Sequence, residues 1–108
     1  MTNSQEKIQQ LQTIEQSMQH LLKQRQQFQM HLMEVDSALD ELQKTEKAYR
    51  IIGSIMILSE KSSLEKELAE KKERLELRVK SVEKQETSLK DQAKTVRQEI
   101  MQAMQANK

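Results

Sequence analysis

The sequence contains no cysteine, no proline and no tryptophan, and it has one glycine, one phenylalanine and one tyrosine among 108 residues. The lack of cysteine excludes disulfides and thiolate chemistry and fits a reducing compartment. A compact globule needs more large apolar and aromatic side chains than a chain that is 35% hydrophobic and 32% charged supplies. Because almost no residue interrupts the backbone, the composition favours long helices packed along a narrow apolar seam.

The chain has 18 basic and 17 acidic residues, so neither positive nor negative charge dominates. This balance gives no reason to expect nucleic acid or an anionic membrane as a partner. The opening residues MTNSQEKIQQ include no apolar stretch, so we expect no signal peptide, and the apolar run at 51–58 is too short to cross a bilayer. We therefore expect a single domain over residues 1–108 of a cytoplasmic protein.

Apolar residues at alternating steps of three and four predict a first helix over about residues 4–45. The series is Leu11, Ile14, Met18, Leu21, Arg25, Phe28, Leu32, Val35, Leu39 and Leu42. Arg25 is the one polar interruption. Such a run over more than four heptads is typical of a coiled coil.

A second helix is predicted over about residues 62–105. One column recurs every seven residues at Leu68, Leu75, Val82, Leu89 and Val96, and a less regular column holds Lys72, Val79, Glu86, Ala93 and Ile100. Ser62 and Glu65 fit a capping box at the helix start. Four acid-first pairs are spaced for ion pairs along an exposed helix, namely Glu67–Lys71, Glu70–Arg74, Glu76–Lys80 and Glu86–Lys90.

The segment between the helices, YRIIGSIMIL at residues 49–58, is rich in β-branched side chains. Its central Gly53-Ser54 suits a tight turn, which predicts a β-hairpin over about residues 48–59, with strands near 48–52 and 55–59. A short helix is the alternative, because polar and apolar residues alternate only weakly. The glycine and the isoleucines favour strands.

Two helices of similar length joined by a short hairpin must fold back on each other to bury their apolar stripes. The predicted fold is therefore mainly α, an antiparallel two-helix coiled-coil hairpin with one central β-hairpin. The helices can cover only one face of a two-stranded ribbon, which is marginal in water by itself. The other face and the open edges predict an oligomer. Its contact residues would be Tyr49, Ile51, Ile52, Gly53, Ile55, Met56, Ile57 and Leu58.

The end of the coiled coil that carries both termini has no capping element, so we expect it to fray and to expose apolar groups. Methionine adapts to irregular apolar surfaces, as a binder of varied partners requires. The alternative is that these residues only complete the seam. The candidate binding residues are Ile8, Leu11, Ile14, Ile100, Met101 and Met104.

No catalytic, cofactor or metal site is predicted. His20 and His31 lie about three helical turns apart, whereas two metal ligands on one helix need a spacing of four residues. The chain has no glycine-rich phosphate loop. Acidic and basic residues alternate through 60–99, so the uninterrupted basic segment of a basic-zipper protein is absent.

The hairpin segment has an aromatic residue, a basic residue, two aliphatics and a glycine at 49–53, followed by an aliphatic strand at 55–57. The next helix carries LELR at 75–78 and EKQE at 83–86. In these features the chain closely resembles the β subunits of archaeal prefoldins. The specific resemblance covers about residues 46–90.

The resemblance implies an ATP-independent chaperone, a holdase, that works as a hexamer of two α and four β subunits. In the family the hairpins form a β-barrel platform, and coiled-coil tips bind unfolded polypeptides and deliver them to a group II chaperonin. The partners would thus be an α subunit, further β copies, unfolded clients and the chaperonin. The alternative function is a structural coiled-coil scaffold or tether, which would not suppress aggregation of an unfolded protein.

Overall fold

The computed structural model describes residues 3–106, which form two long helices and an antiparallel β-hairpin. α1 spans Asn3–Lys44, β1 spans Ala48–Ile52, β2 spans Ile55–Ser59 and α2 spans Lys61–Ala106. The predicted fold class is confirmed, and the hairpin forms in place of the alternative short helix. That residues 1–108 make up a single domain stays a prediction.

Packing divides the chain into two compact units. The terminal unit contains the described residues up to Gln26 and those from Lys80 onward. The hairpin unit contains residues 27–79. Each unit pairs a segment of α1 with a segment of α2 that runs in the opposite direction.

The terminal unit buries a narrow seam between its two helix segments. Its core consists of Ile14, Ala93 and Val96, and Ala93 is only 1% exposed. Half-buried residues pack against this core, namely Leu11, Met18, Leu89 and Ile100. All of these belong to the apolar series in the sequence, because a helix residue reaches its partner helix only from the face that the heptad repeats.

The hairpin unit continues the same pattern. Its buried seam residues are Val35, Leu42, Leu75 and Val79, and Ala48 at the start of β1 is buried with them. α1 ends at Lys44, and the backbone N–H and the hydroxyl of the next residue, Thr45, both donate to the carbonyl of Leu42, at 3.4 and 3.5 Å. These bonds satisfy a carbonyl that the helix end would otherwise leave without an intrahelical partner.

The capping box predicted at Ser62 and Glu65 is wrong. α2 begins at Lys61, and the N–H of Leu64 donates to the carbonyl of Glu60 at 3.1 Å. Because β2 ends at Ser59, only one residue separates the strand from the helix, and Ser62 already lies in the first helical turn. The carboxylate of Glu65 accepts a hydrogen bond from the Gln43 amide on α1, at 3.4 Å.

The ion pairs predicted along α2 are also wrong for the part of the chain that the structure describes. Two of the four glutamates pair with another element: Glu67 binds Arg50 on β1, and Glu86 binds Arg25 on α1. The Arg25 side chain is 28% exposed, so its guanidinium is partly shielded from water, whereas Lys90 lies on an exposed helix face.

The hairpin turns at Gly53, which has φ of 60°. Among residues 3–106 no other residue has a positive φ, as expected for a type II′ turn, which needs it only at its first central position. The strands pair in the register Ala48↔Ser59 to Ile52↔Ile55. Since opposite residues share a face, the inner face carries Ala48, Arg50, Ile52, Ile55, Ile57 and Ser59, and the outer face carries Tyr49, Ile51, Met56 and Leu58.

Candidate functional site

The inner face of the hairpin is covered next to the helices and open next to the turn. Ala48 is buried, whereas Ile57 is 44% exposed and Ile55 is 62% exposed. Arg50 on this face forms an ion pair with Glu67 of α2. This contact joins the inner face to α2. The helices therefore pack against the inner face of the hairpin and do not cover the outer face.

The outer face of the hairpin has no cover within the described residues. Its four side chains, Tyr49, Ile51, Met56 and Leu58, are between 52% and 69% exposed. Burial of one large apolar side chain contributes about 1.5–3 kcal/mol. Covering these four side chains would therefore stabilise the protein substantially. Contiguous apolar exposure of this kind marks an interaction site.

The eight residues predicted for oligomerisation all lie on this hairpin surface, which comprises the outer face, the turn and the open half of the inner face. Seven of them expose large apolar side chains, and Gly53 forms the turn. The two strands pair only with each other in residues 3–106, so each strand keeps one unpaired edge. Their role in oligomerisation stays a prediction.

The six candidate binding residues in the terminal unit fall into three classes of exposure. Ile14 is buried in the core, and Leu11 and Ile100 are half-buried against it. The other three form an exposed group that we call the terminal apolar patch: Ile8, Met101 and Met104 are 43%, 61% and 60% exposed. These three offer the most apolar surface to a partner while the helices stay paired.

Two ion pairs join the helices at the level of this patch. Lys7 binds Glu99, and the Arg97 guanidinium lies 3.3 Å from the Glu15 carboxylate. Lys7 precedes Ile8, and Glu99 lies two residues before Met101, so the first pair sets these apolar residues at one level of the helix pair. Sequence reasoning missed both contacts, which join residues more than 80 positions apart.

The polar residues that interrupt the apolar series have partners across the seam. Arg25 Nε donates to Glu86 Oε1 at 2.7 Å, so the interruption in one helix meets an interruption in the other. Lys72, another interruption, lies 2.8 Å from the Asp36 carboxylate, which raises the pKa of its ammonium group by hydrogen bonding and by charge. The sequence shows Arg25 and Glu86 as polar interruptions of the two apolar series. The repeats alone do not show that these two residues lie opposite each other.

Phe28, the one phenylalanine of the chain, lies half-buried in the hairpin unit. The guanidinium carbon of Arg78 stands 5.6 Å from its ring centroid. A cation over an aromatic face at this distance contributes about 0.5–1 kcal/mol at an exposed site. The guanidinium lies over the ring, so this side of the seam presents a charged group to solvent.

Residues 3–106 contain no group of three or more histidine, cysteine, aspartate or glutamate side chains that is placed to hold a metal ion. Neither helix of this range has an apolar stretch long enough to span a bilayer. The candidate surfaces for function are the hairpin surface and the terminal apolar patch; Leu22, Met30, Met33 and Leu77 are also exposed, along the helices.

Comparison with known proteins agrees with this geometry. The family described as "Prefoldin subunit" matches residues 5–107. The prefoldin subunit beta of Archaeoglobus fulgidus is 34% identical over 96 residues, which cover 86% of this chain and 83% of the relative. That of Thermococcus onnurineus is 34% identical over 98 residues, covering 88% and 84%.

A solved structure shows the same arrangement of helices and hairpin. The crystal structure of the prefoldin beta subunit from Thermococcus strain KS-1 is similar with a TM-score of 0.89 and 30% identity. The match covers 95% of this chain and 93% of that one. From its sequence, its hairpin and these relatives, the chain belongs to the prefoldin family of chaperone subunits and resembles the β class of that family.

Proposed function

We propose that this chain is one subunit of an ATP-independent holdase that assembles through the hairpin surface and binds unfolded polypeptides through the terminal apolar patch. The observation that carries the proposal is the clustering of exposed large apolar side chains on the hairpin surface and in the terminal apolar patch. Four further apolar side chains are exposed along the helices, at Leu22, Met30, Met33 and Leu77, while the heptad series itself is buried or half-buried. Two such surfaces serve two kinds of partner: one completes the subunit, and the other is available to clients.

Assembly follows from the outer face of the hairpin. A two-stranded ribbon with one apolar face in water and two open edges is stabilised when strands of other subunits extend the sheet. The partners are an α subunit and further β copies, in the proportion of two α to four β. Family membership and the relatives named as prefoldin beta subunits support this composition.

Client binding follows from the terminal apolar patch. Three exposed apolar side chains give weak binding at one subunit, because each contributes at most about 1.5–3 kcal/mol before the entropy of ordering a client is subtracted. Several patches on one assembly raise the affinity through their effective concentration. This mechanism needs no nucleotide. We propose that the client then passes to a group II chaperonin, and that this takes place in the cytoplasm.

The test is an aggregation assay with the chain assembled with its α subunit. A chemically unfolded client is diluted into buffer without nucleotide, and light scattering is followed. The proposal requires that the assembly suppress scattering, and a scaffold or tether would leave scattering unchanged.

A truncated form that lacks residues 1–10 and 100–108 tests the site. We expect it to assemble to full size by native mass spectrometry but to protect the client poorly, because all three patch residues are removed. Full protection by this form would contradict client binding at the terminal apolar patch.

A further inference from the structure

We infer that the terminal apolar patch selects extended polypeptide segments without regard to their net charge, because its surroundings supply neutral amides where other parts of the chain supply charges. Client side chains would rest on Ile8, Met101 and Met104, and glutamine amides beside them would bind the client backbone. The inference rests on the proposed function and names the class of client that this site accepts.

The patch lies on one side of the helix pair. Glu15 and Arg97 form an ion pair across the helices, so both lie on that side. Ile8 is one heptad before Glu15, and Met104 is one heptad after Arg97. Because a heptad returns to nearly the same helix face, Ile8 and Met104 share the side of this ion pair. Met101 lies three residues from Met104 and is its neighbour on the helix surface.

The other side of the helix pair is polar at the same level. A groove there is lined by Lys7, Gln10, Gln92 and Glu99, with Lys7 and Glu99 joined in an ion pair. The exposed apolar side chains of this level are therefore confined to one side. At this level of the helix pair, a client that binds through apolar contacts therefore has one surface to use.

Charge is scarce and balanced around the patch. Residues 3–19 and 91–106 contain four acidic and three basic side chains, whereas 17 of the 31 residues at 60–90 are charged. Four of the seven form the two ion pairs between the helices. Glu6, Asp91 and Lys94 remain, and Asp91 lines the groove on the polar side. The field that a client meets is therefore weak.

Amide side chains replace the charges. The same two segments contain ten glutamines, and all ten are exposed. Gln12 lies four residues after Ile8, and Gln98 and Gln105 lie three residues before and four after Met101, so helical spacing makes them surface neighbours of the patch. No hydrogen bond within the described chain occupies these three amides.

A glutamine amide suits a peptide backbone as a partner. It has two donors and one acceptor, so it can bind either a C=O or an N–H group. When client side chains settle on an apolar surface, the backbone beside them loses water and needs such partners. An unfolded segment always carries these groups, whatever its side chains. The patch and its amides thus recognise features that every extended polypeptide with apolar residues shares.

The test uses the assembled complex and three unfolded peptides that share one apolar pattern and differ only in acidic, neutral or basic spacer residues. Binding is measured by fluorescence anisotropy at about 0.05 M and about 0.5 M salt, which span weak and strong screening. We expect the affinities to agree within about threefold across peptides and salt concentrations. A difference above about tenfold between the acidic and basic peptides would overturn the inference.

Two double variants test which glutamine side chains contact the client. Gln98→Glu with Gln105→Glu places two negative charges beside Met101, and it should weaken the acidic peptide relative to the basic one by several-fold, with the difference reduced by salt. Gln10→Glu with Gln92→Glu adds the same charge on the polar side and should leave the ratio unchanged. Equal effects of the two pairs would contradict one-sided binding, and no effect of the first pair would exclude its amides from the site.

The peptide-binding results distinguish failure of the holdase function from failure of the charge-independent site. If the complex binds none of the three peptides, the holdase function fails, and the inference fails with it. If the complex binds peptides but follows their charge, the function stands and the charge-independent site does not. Circular dichroism of both variant pairs checks that the helices are intact, so a loss of folding is separated from a change in selectivity.

Discussion

Replacement of Arg25 by alanine is expected to destabilise the helix pair by about 2 kcal/mol, an estimate that follows from the burial of its ion pair. Arg25 Nε lies 2.7 Å from Glu86 Oε1, and the two side chains are 28% and 22% exposed. An exposed pair contributes about 0–1 kcal/mol, whereas loss of one partner from a fully buried pair costs about 3–5 kcal/mol. With most of each side chain covered, the expected cost falls between these limits.

The double variant with leucine at both positions separates two explanations of that cost. If the loss arises from a charge left without its partner, removal of both charges should restore stability. Leucine at 25 and 86 also completes the apolar series next to the buried Leu21 and Val82. We therefore expect this variant to equal the parent chain or to exceed it by about 1–3 kcal/mol.

The assay is urea unfolding followed by circular dichroism at one fixed protein concentration, because assembly makes apparent stability depend on concentration. With a slope of about 2 kcal/mol per M, the alanine variant should lose about 1 M in its midpoint. Arg97→Ala is the control, since its pair with Glu15 is more than half exposed and should contribute under about 0.5 kcal/mol. The reasoning is refuted if Arg25→Ala leaves the midpoint unchanged, or if the double leucine variant is as unstable as the single one.

Three further changes test the hairpin and the seam. Aspartate at both Ile55 and Ile57 should dissociate the assembly and preserve the helical signal; a full-size complex in native mass spectrometry would contradict the assembly surface. Gly53→Val should cost about 1–2 kcal/mol in urea unfolding and Gly53→Asn less, because a Cβ there meets nothing within 4 Å and only the positive φ resists it. Ala93→Leu should cost about 1–3 kcal/mol by forcing the helices apart, and the exposed Ala69→Leu under about 0.5; equal losses would argue against a tightly packed seam.

The helices, their shared seam and the hairpin could be predicted because their signals are local. A residue such as Leu75 or Val82 shows its burial through its place in a repeat on its own helix. Gly53 likewise shows the turn through its own conformational freedom. These features need no knowledge of which distant residue lies opposite.

The contacts that the sequence did not predict depend on register between segments. Arg25 and Glu86 are 61 residues apart, and their pairing follows from the exact offset of two helices, which the repeats leave open by whole heptads. The capping signal at Ser62 is not used, because α2 begins at Lys61 and Ser62 already lies inside the helix.

The spacing of the ion pairs and hydrogen bonds also sets an order of folding. Gln43 and Glu65 meet across 22 residues of chain, whereas Lys7 and Glu99 meet across 92. Closing a longer loop costs more chain entropy. Pairing of the two helices should therefore begin next to the hairpin and extend towards the chain ends. During synthesis, the beginning of α1 remains unpaired until the last part of α2 emerges from the ribosome. The segment that we assign to holding other incomplete chains is therefore the one that waits longest for its own partner.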